Sequence, residues 1–447
     1  MKKKIALVNM CYPKDTTLYA PPLGLLSIAS FLNQYDIESH IYDISVDVQY
    51  QEFTVEKITD YFYSIEEQII GISAWDSVLS KIILSVQKLK QIKDKVIVLG
   101  GPTATNLSDL LINTFPCIDY CVEGEGEKTM LNLLNWLNSK DYDLSHLSAK
   151  IIGRKENVIF RGALKNSYFE AKDIPIVNYG FCDVERYDRF EVSSTRGCPF
   201  RCEFCSINST LDNKIRVRPM ENIFEELNAL FHETKCDTAN FVDDNFGLYN
   251  ARLVEFCQLF KKQFPDKKWT CYFRLNDLTK DNVNMMVNSG CIGVFIGVET
   301  GNKDKLNKLG KGIDRKDLLS RLKYATTKLD VTASFIWGFP DEDESQLVDT
   351  FDIISKITEY DNIIVDLYQL SPLSGTPLTN KMLDNLVFDE DAISGFIFPP
   401  NLPKLSEQEK ELICKYPQIF SAFYHEDSEL FGNKLSMVKK FLGENIW

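Results

Sequence analysis

Three cysteines, Cys198, Cys202 and Cys205, stand within eight residues as "CPFRCEFC", directly after the strand-like run "RFEVSSTRG". Three thiolates on one loop can hold three irons of a cubic [4Fe–4S] cluster and leave the fourth iron open to an outside ligand. Ferredoxin-type clusters use four Cys, and structural zinc sites close with a fourth Cys or His. Here no His lies between His146 and His232, and the next Cys is Cys236, so the loop supplies no fourth ligand. An unfilled metal position points to chemistry rather than to a structural staple. The plain alternative is three core or surface thiols grouped by accident, and ligand spacing in a chain of intracellular type argues against it.

The rest of the chain fits a soluble intracellular enzyme. With 447 residues, 44% hydrophobic and 26% charged, it is long enough for two or three well-cored domains. A net charge of −14 argues against a general nucleic-acid surface. The N-terminal "MKKKIALVNMCYPKD" is too short in its apolar run for a signal peptide, and no stretch approaches the roughly eighteen apolar residues of a membrane span. A cytoplasmic location is expected. Twelve Cys in so long a chain read as reduced residues, mostly in apolar runs. Cys117 and Cys121 flank "IDY" without a second ligand pair nearby, so core packing is their expected role.

Residues 1–140 read as an open α/β domain. Short apolar runs ("KIALVNM", "IESHIYDI", "QIIGISA", "KVIVLGG") alternate with longer amphipathic stretches ("LGLLSIASFLNQY", "VEKITDYFYS", "SVLSKIILSVQKLKQI"). That alternation predicts a parallel, Rossmann-like sheet with helices on both faces, and ligands of such sheets bind beyond the carboxyl ends of the strands. Small and polar groups collect at those ends: Pro21 to Gly24, Ser73 to Asp76, Gly100 to Thr103, and "CVEGEGEKTMLNLL" with Gly124 and Gly126. None matches a dinucleotide fingerprint or a Walker loop. Residues 141–187 read as a connector, with a hairpin at "KIIGRKENVIFRG".

From 188 to 385 six strand-like runs, "FEVSST", "TANFVDD", "WTCYFRL", "CIGVFIGVE", "TASFIWGF" and "IIVDLYQL", are separated by helical stretches. Six βα units predict a partial (β/α)6 barrel with its reactive groups at the carboxyl ends of the strands. Residues 386–447 are expected to form a small helical cap, with a capping box at Ser406 and Glu409. Its aromatic run "YPQIFSAFYH" is explained either by helix packing or by a lid over the barrel mouth. The lid reading makes Tyr424 and His425 candidate substrate contacts.

The cysteine triad resembles the signature of the radical S-adenosylmethionine (SAM) enzymes, whose open iron chelates the amino and carboxylate groups of SAM. The later strand ends resemble that family in order. The resemblance implies SAM binding by Phe204 beside the adenine, by Asp243 or Asp244 on the ammonium, by Glu299 on the ribose, and by Gly338, Phe339 and Pro340 against the adenine. "LSPLSGTPL" resembles the family's Pro-Gly-Thr-Pro segment, with Ser374 in place of the first Pro. The run from "PPLGLLSIASFL" through "GGPTATN" to "VEGEGEKTML" resembles the cobalamin-binding domain that precedes the radical domain in one large class of these enzymes. That likeness assigns cobalamin to Pro22, Leu23, Gly24, Ser73, Trp75, Gly100, Gly101, Pro102, Glu123, Gly124 and Gly126. The D-x-H-x-x-G motif that gives cobalt a His in other cobalamin proteins is absent, and His40 reads as structural. Trp75 is expected either to cover the lower face of the cobalt or to wall the domain seam.

The implied enzyme uses a [4Fe–4S] cluster, SAM and cobalamin, with a one-electron reductant such as a flavodoxin or ferredoxin. Its expected reaction is methyl transfer to an unactivated carbon of a small-molecule or peptide substrate. The alternative is a cobalamin radical SAM enzyme that forms or rearranges a ring without methylating. A sulfur-inserting tRNA enzyme is disfavoured, because no second cluster Cys set and no basic C-terminal module are visible. A non-catalytic corrinoid or redox sensor would need neither the open iron nor the strand-end motifs.

Overall fold

The computed structural model describes residues 4–13, 19–139, 147, 150–156, 158–162, 169–211, 214–399 and 402–444. Parts of the connector, including residues 140–146 and 163–168, lie outside the described residues.

The N-terminal region is built on strands β1 (Ile5–Asn9), β2 (Ser39–Asp43), β3 (Ile69–Ser73), β4 (Val96–Gly100) and β5 (Tyr120–Val122). Sheet order is β2-β1-β3-β4-β5, all parallel. Strands β1, β3 and β4 are apolar almost end to end because helices cover both faces. One face carries the helices Val55–Ser64, Leu79–Ile92 and Pro102–Thr114, the other Leu23–Asn33 and Gly126–Asn138. The winding direction reverses between β1 and β3, which opens a crevice at their carboxyl ends.

The expected hairpin forms as β6 (Ile151–Lys155) and β7 (Val158–Arg161). Instead of draping over a junction, β6 pairs antiparallel with β5 and enlarges the sheet to seven strands. A three-residue edge strand leaves N–H and C=O groups unpaired, and the hairpin satisfies them.

The second sheet runs β15-β14-β13-β12-β11-β8, parallel throughout: β8 (Phe190–Val192), β11 (Thr238–Phe241), β12 (Lys268–Arg274), β13 (Cys291–Glu299), β14 (Asp330–Trp337) and β15 (Ile363–Gln369). All six expected strands are present. Spatial order follows chain order without reversal, so right-handed crossovers place every helix on one face. The other face is the concave one of a partial barrel. Between β8 and β11 a two-stranded antiparallel ribbon, β9 (Thr195–Arg196) with β10 (Arg216–Val217), closes the base of the cysteine loop.

The cap helix Glu407–Lys415 starts at Ser406 with the expected capping box to Glu409. Its aromatic run touches the barrel at Ser421, whose hydroxyl donates to the Pro372 carbonyl at 2.7 Å just after β15, while its rings pack elsewhere. Ile419, Phe420, Phe423 and Tyr424 pack into the core of the N-terminal sheet, and buried Glu409 pairs with buried Lys81 at 2.8 Å. The last pair, β16 (Leu386–Val387) with β17 (His425–Glu426), lies beside the helix Glu429–Glu444. Among the described residues no helix is long and apolar enough to cross a membrane.

Candidate active site

A cavity of about 590 Å³ occupies the crevice at the carboxyl ends of β1, β3, β4 and β5. Ten of the eleven residues assigned to cobalamin line it: Pro22, Leu23, Gly24, Ser73, Trp75, Gly100, Gly101, Pro102, Gly124 and Gly126. At the strand ends the glycines Gly24, Gly100, Gly101, Gly124 and Gly126 leave main chain facing the cavity, which suits close approach of a broad ligand. At Gly101 φ is 91°, and an added Cβ would lie 3.0 Å from the Ala74 carbonyl, so only glycine brings the two loops together there. Glu123 is the exception. It is buried outside the cavity lining, and its carboxylate accepts from Ser108 and from Arg161 of β7. His40, near the amino end of β2, faces Glu38 and Glu67, which precede β2 and β3. Trp75 lines the cavity and is 48% exposed. Its half-buried neighbour Asp76 accepts from the Ser374 amide at 3.3 Å, joining the two halves of the chain.

The opposite wall comes from the barrel. Glu191, Ser193, Arg196, Arg218 and Val242 line the same cavity, so it spans the seam between the two sheets. Arg196 on β9 pairs with Glu125 and Glu127 at 2.7 Å each, and Arg216 on β10 pairs with Glu125. Ser27 donates to Glu127 at 2.6 Å. Burial alone would raise the Glu127 carboxyl, but Arg196 and Ser27 hold it below its ordinary range. The acidic loop "EGEGE" is thereby tied to the ribbon that carries the cysteines. Sequence reasoning missed this clamp, because a salt bridge across a seam leaves no local pattern.

Cys198, Cys202 and Cys205 sit on the loop between β9 and β10, all partly buried and none in a disulfide. At Gly197 φ is 91° and an added Cβ would strike the Lys214 carbonyl, so the loop can close only on glycine. Burial pushes the Cys205 thiol up to about 12, with Cys202, Asp244 and Cys198 adding to the rise. Asp244 acts on Cys198 and Cys205, while Lys311, Glu299 and Arg274 act on Cys202. Among the described residues no three ligand side chains converge on a single ion. Three free thiols on one glycine-closed loop are the donor set that a cubic cluster with one open iron requires.

Asp243 and Asp244 part company. Asp243 is buried and its carboxylate accepts from the amides and hydroxyls of Ser194 and Thr195. Three of these bonds fall on Oδ1 and one on Oδ2, so Asp243 is held to the loop before the cysteines. Asp244 is open at the barrel mouth, and surrounding protein together with Asp243 pushes its carboxyl up to about 6. Glu299 ends β13 at φ 73°, a left-handed conformation that a glutamate holds only under constraint. Its side chain pairs with buried Lys311 at 2.7 Å.

A second cavity of about 470 Å³ is lined by Cys202, Phe204, Phe339 and Pro340, with Lys305, Lys308 and Asp341 at its rim. Phe204 meets Phe339 edge-on at 5.7 Å, which places the aromatic of the cysteine loop against the end of β14. Gly338, at φ 91°, donates its N–H to buried Glu342, and Lys434 binds the Phe339 carbonyl at 2.8 Å. The two substrate candidates do not join either cavity. Tyr424 is a core residue whose hydroxyl donates to the Ile413 carbonyl, and His425 stacks on Phe431 at 4.0 Å. Cap packing has used both side chains.

Comparison with known proteins agrees with this geometry. The profile of the B12-binding domain matches residues 15–134, and that of the radical SAM superfamily matches residues 192–354. The chain is 31% identical over 347 residues to an uncharacterized methyltransferase of Pyrococcus horikoshii, covering 75% of this chain and 73% of that one. It is 22% identical over 344 residues to the anaerobic magnesium-protoporphyrin IX monomethyl ester cyclase of Rubrivivax gelatinosus, covering 74% of this chain and 61% of the cyclase. The radical SAM methyltransferase TsrM of Kitasatospora setae, solved with tryptophan substrate and a SAM analogue, superposes with a TM-score of 0.74. It shares 14% identity, with 99% of this chain and 88% of TsrM covered.

Proposed function

The chain belongs to the cobalamin-binding radical SAM family, and from that premise we propose that it transfers a methyl group to an unactivated carbon of a small-molecule or peptide substrate. The cofactors of the family are a [4Fe–4S] cluster, SAM and cobalamin. When bound, they supply a 5′-deoxyadenosyl radical and a methyl group. The chain's own residues have the task of holding and separating these reagents.

The observation that carries the reading is the cavity at the seam, walled on one side by the loops of β1, β3 and β4 and on the other by β8, β9 and β11. It gives cobalamin a bed that faces the barrel. Cys198, Cys202 and Cys205 hold the cluster. Phe204, Phe339 and Pro340 enclose the adenine of SAM, and Gly338 shapes their turn. Asp244 accepts from the SAM ammonium and Glu299, steadied by Lys311, from the ribose hydroxyls. Trp75 lines the cobalamin bed and, with the cofactor bound, would help keep water from it. A flavodoxin- or ferredoxin-like protein delivers electrons in the cytoplasm, where free thiols persist.

Methylation is favoured by the relative of 31% identity that carries that activity in its name. Similarity to a cyclase over 74% of the chain favours a second reading, ring formation without methyl transfer. The ratio of products separates them. A methylase consumes two SAM per product and yields S-adenosylhomocysteine and 5′-deoxyadenosine in near equal amounts. A cyclase yields 5′-deoxyadenosine without matching S-adenosylhomocysteine. The ratio is to be measured with true substrate, since abortive cleavage inflates 5′-deoxyadenosine.

A further inference from the structure

The concave face of the barrel sheet carries a half-open aromatic wall that no assigned cofactor residue explains. Along β12 the residues Trp269, Cys271 and Phe273 are buried against the helices, so Tyr272 and Arg274 point to the concave side. Register carries that side across the sheet: Tyr272 lies beside Phe295, then Thr332 and Ile364, and Arg274 beside Gly297, then Ser334 and Asp366. Arg274 packs over the Phe200 ring of the cysteine loop at 3.5 Å, so this face leads directly to the cluster loop. At the other edge Glu191 and Val242 of the same sheet line the cobalamin cavity.

Four large apolar groups here are left open to solvent: Tyr272 at 37%, Ile364 at 64%, Tyr368 at 36% and Phe396 at 57%. Tyr272 meets Phe295 at 5.2 Å. Phe396 comes from the segment after the barrel and meets Tyr368 edge-on at 5.8 Å. That segment is pinned along β15, where Gln369 donates to the Ala392 carbonyl and Ser394 donates to the Gln369 carbonyl. It therefore closes the open edge of the barrel, the place the lid reading had assigned to a later segment.

A carboxylate stands in this wall beside the rings. Asp366 lies on the concave side two residues before Tyr368, whose hydroxyl is its neighbour, and no cation pairs with it among the described residues. Burial pushes its carboxyl upward. A carboxylate in such surroundings is stabilised by a counter-charge, and Arg274 is three strand spacings away, about 14 Å, and occupied with Phe200. Ring faces beside a lone carboxylate also attract organic cations.

We propose that this face, bounded by Tyr272, Phe295, Ile364, Tyr368 and Phe396, binds the substrate, and that the substrate is an apolar, ring-bearing molecule whose protonated amine pairs with Asp366. A carboxylate in the same position would meet like charge, and a neutral hydroxyl would leave Asp366 without a counter-charge. The proposal rests on the functional reading above only in taking this face as the one turned toward substrate.

The test reads binding without turnover. Full-length protein carrying cluster, cobalamin and SAM is titrated with 2-phenylethylamine, 2-phenylethanol and 3-phenylpropionate, using saturation-transfer difference NMR. The amine should bind about tenfold or more tighter than the alcohol and the acid. Asp366→Asn should abolish that preference, Asp366→Glu should keep it, and Phe396→Ala should weaken amine and alcohol alike. Unchanged iron content and cobalamin spectrum certify each variant as folded. Equal or reversed affinities in the parent protein, a preference that survives Asp366→Asn, or no binding of any probe would each overturn the proposal. None of these results would alter the S-adenosylhomocysteine ratio, so the two readings fail separately.

Discussion

Adjacent carboxylates at Asp243 and Asp244 have different partners, and the difference sets what each substitution does. Asp244→Asn removes a charge-assisted acceptor worth about 1.5–3 kcal/mol. It should weaken SAM binding roughly ten- to a hundredfold while leaving about four irons per chain. Asp243→Asn instead loosens the Ser194–Thr195 turn and should lower iron content itself; equilibrium dialysis of SAM and iron analysis distinguish the two. The cysteines give the sharper contrast. Ala at Cys198, Cys202 or Cys205 should abolish both the cluster absorbance and SAM cleavage. Cys117→Ala and Cys121→Ala should keep both, because those thiols are buried core groups whose pKa burial drives upward.

Among the elements, the β9–β10 ribbon matters most, because it carries the cysteine loop and is clamped to the acidic loop of the cobalamin cavity. Breaking a buried ion pair by removing one partner costs about 3–5 kcal/mol. Arg196→Gln should therefore lower the melting temperature by several degrees at neutral pH. The pH dependence follows from Glu127, whose carboxyl Arg196 holds below its ordinary value against the upward push of burial. A depressed carboxyl contributes stability above its unfolded pKa and loses it as pH falls through the folded value. The parent protein should thus keep the clamp down to below about pH 4.5. In Arg196→Gln burial is opposed only by Ser27 and the main chain, so Glu127 takes up a proton at higher pH than in the parent and the deficit shrinks on acidification. Melting curves at pH 7.5 and pH 5 check this; a deficit equal at both would refute the clamp.

At the scale of the molecule, two sheets present their carboxyl ends to one seam. Among the described residues no histidine lines the cavity there, and His40 is held by Glu67 near the amino ends of the strands. Cob(II)alamin bound to the reconstituted protein should therefore give a base-off electron paramagnetic resonance spectrum without nitrogen hyperfine splitting from a protein ligand. A base-on pattern or a histidine splitting would contradict the assignment of the cavity. The seam also explains why the cap packs where it does. Its aromatic run fills the N-terminal core, leaving the barrel edge to Phe396.

The sequence alone determined the elements that depend on local chemistry. Strand and helix alternation is written in apolar periodicity, so both parallel sheets and all six barrel strands were legible from it. Short-range motifs were legible for the same reason: the cysteine spacing, the strand-end glycines and the Ser406 capping box are each set within a few residues. What only the tertiary structure decided involves partners far apart in the chain. Glu123 turned out to serve Arg161, Asp243 the cysteine-loop turn, and Tyr424 the core of the N-terminal sheet, because side chains of one type are assigned by whichever partners the fold brings within reach. The Arg196–Glu127 clamp and the Asp366 wall belong to the same class. Each arises from strands and loops tens of residues apart, and no pattern along the chain records that they meet.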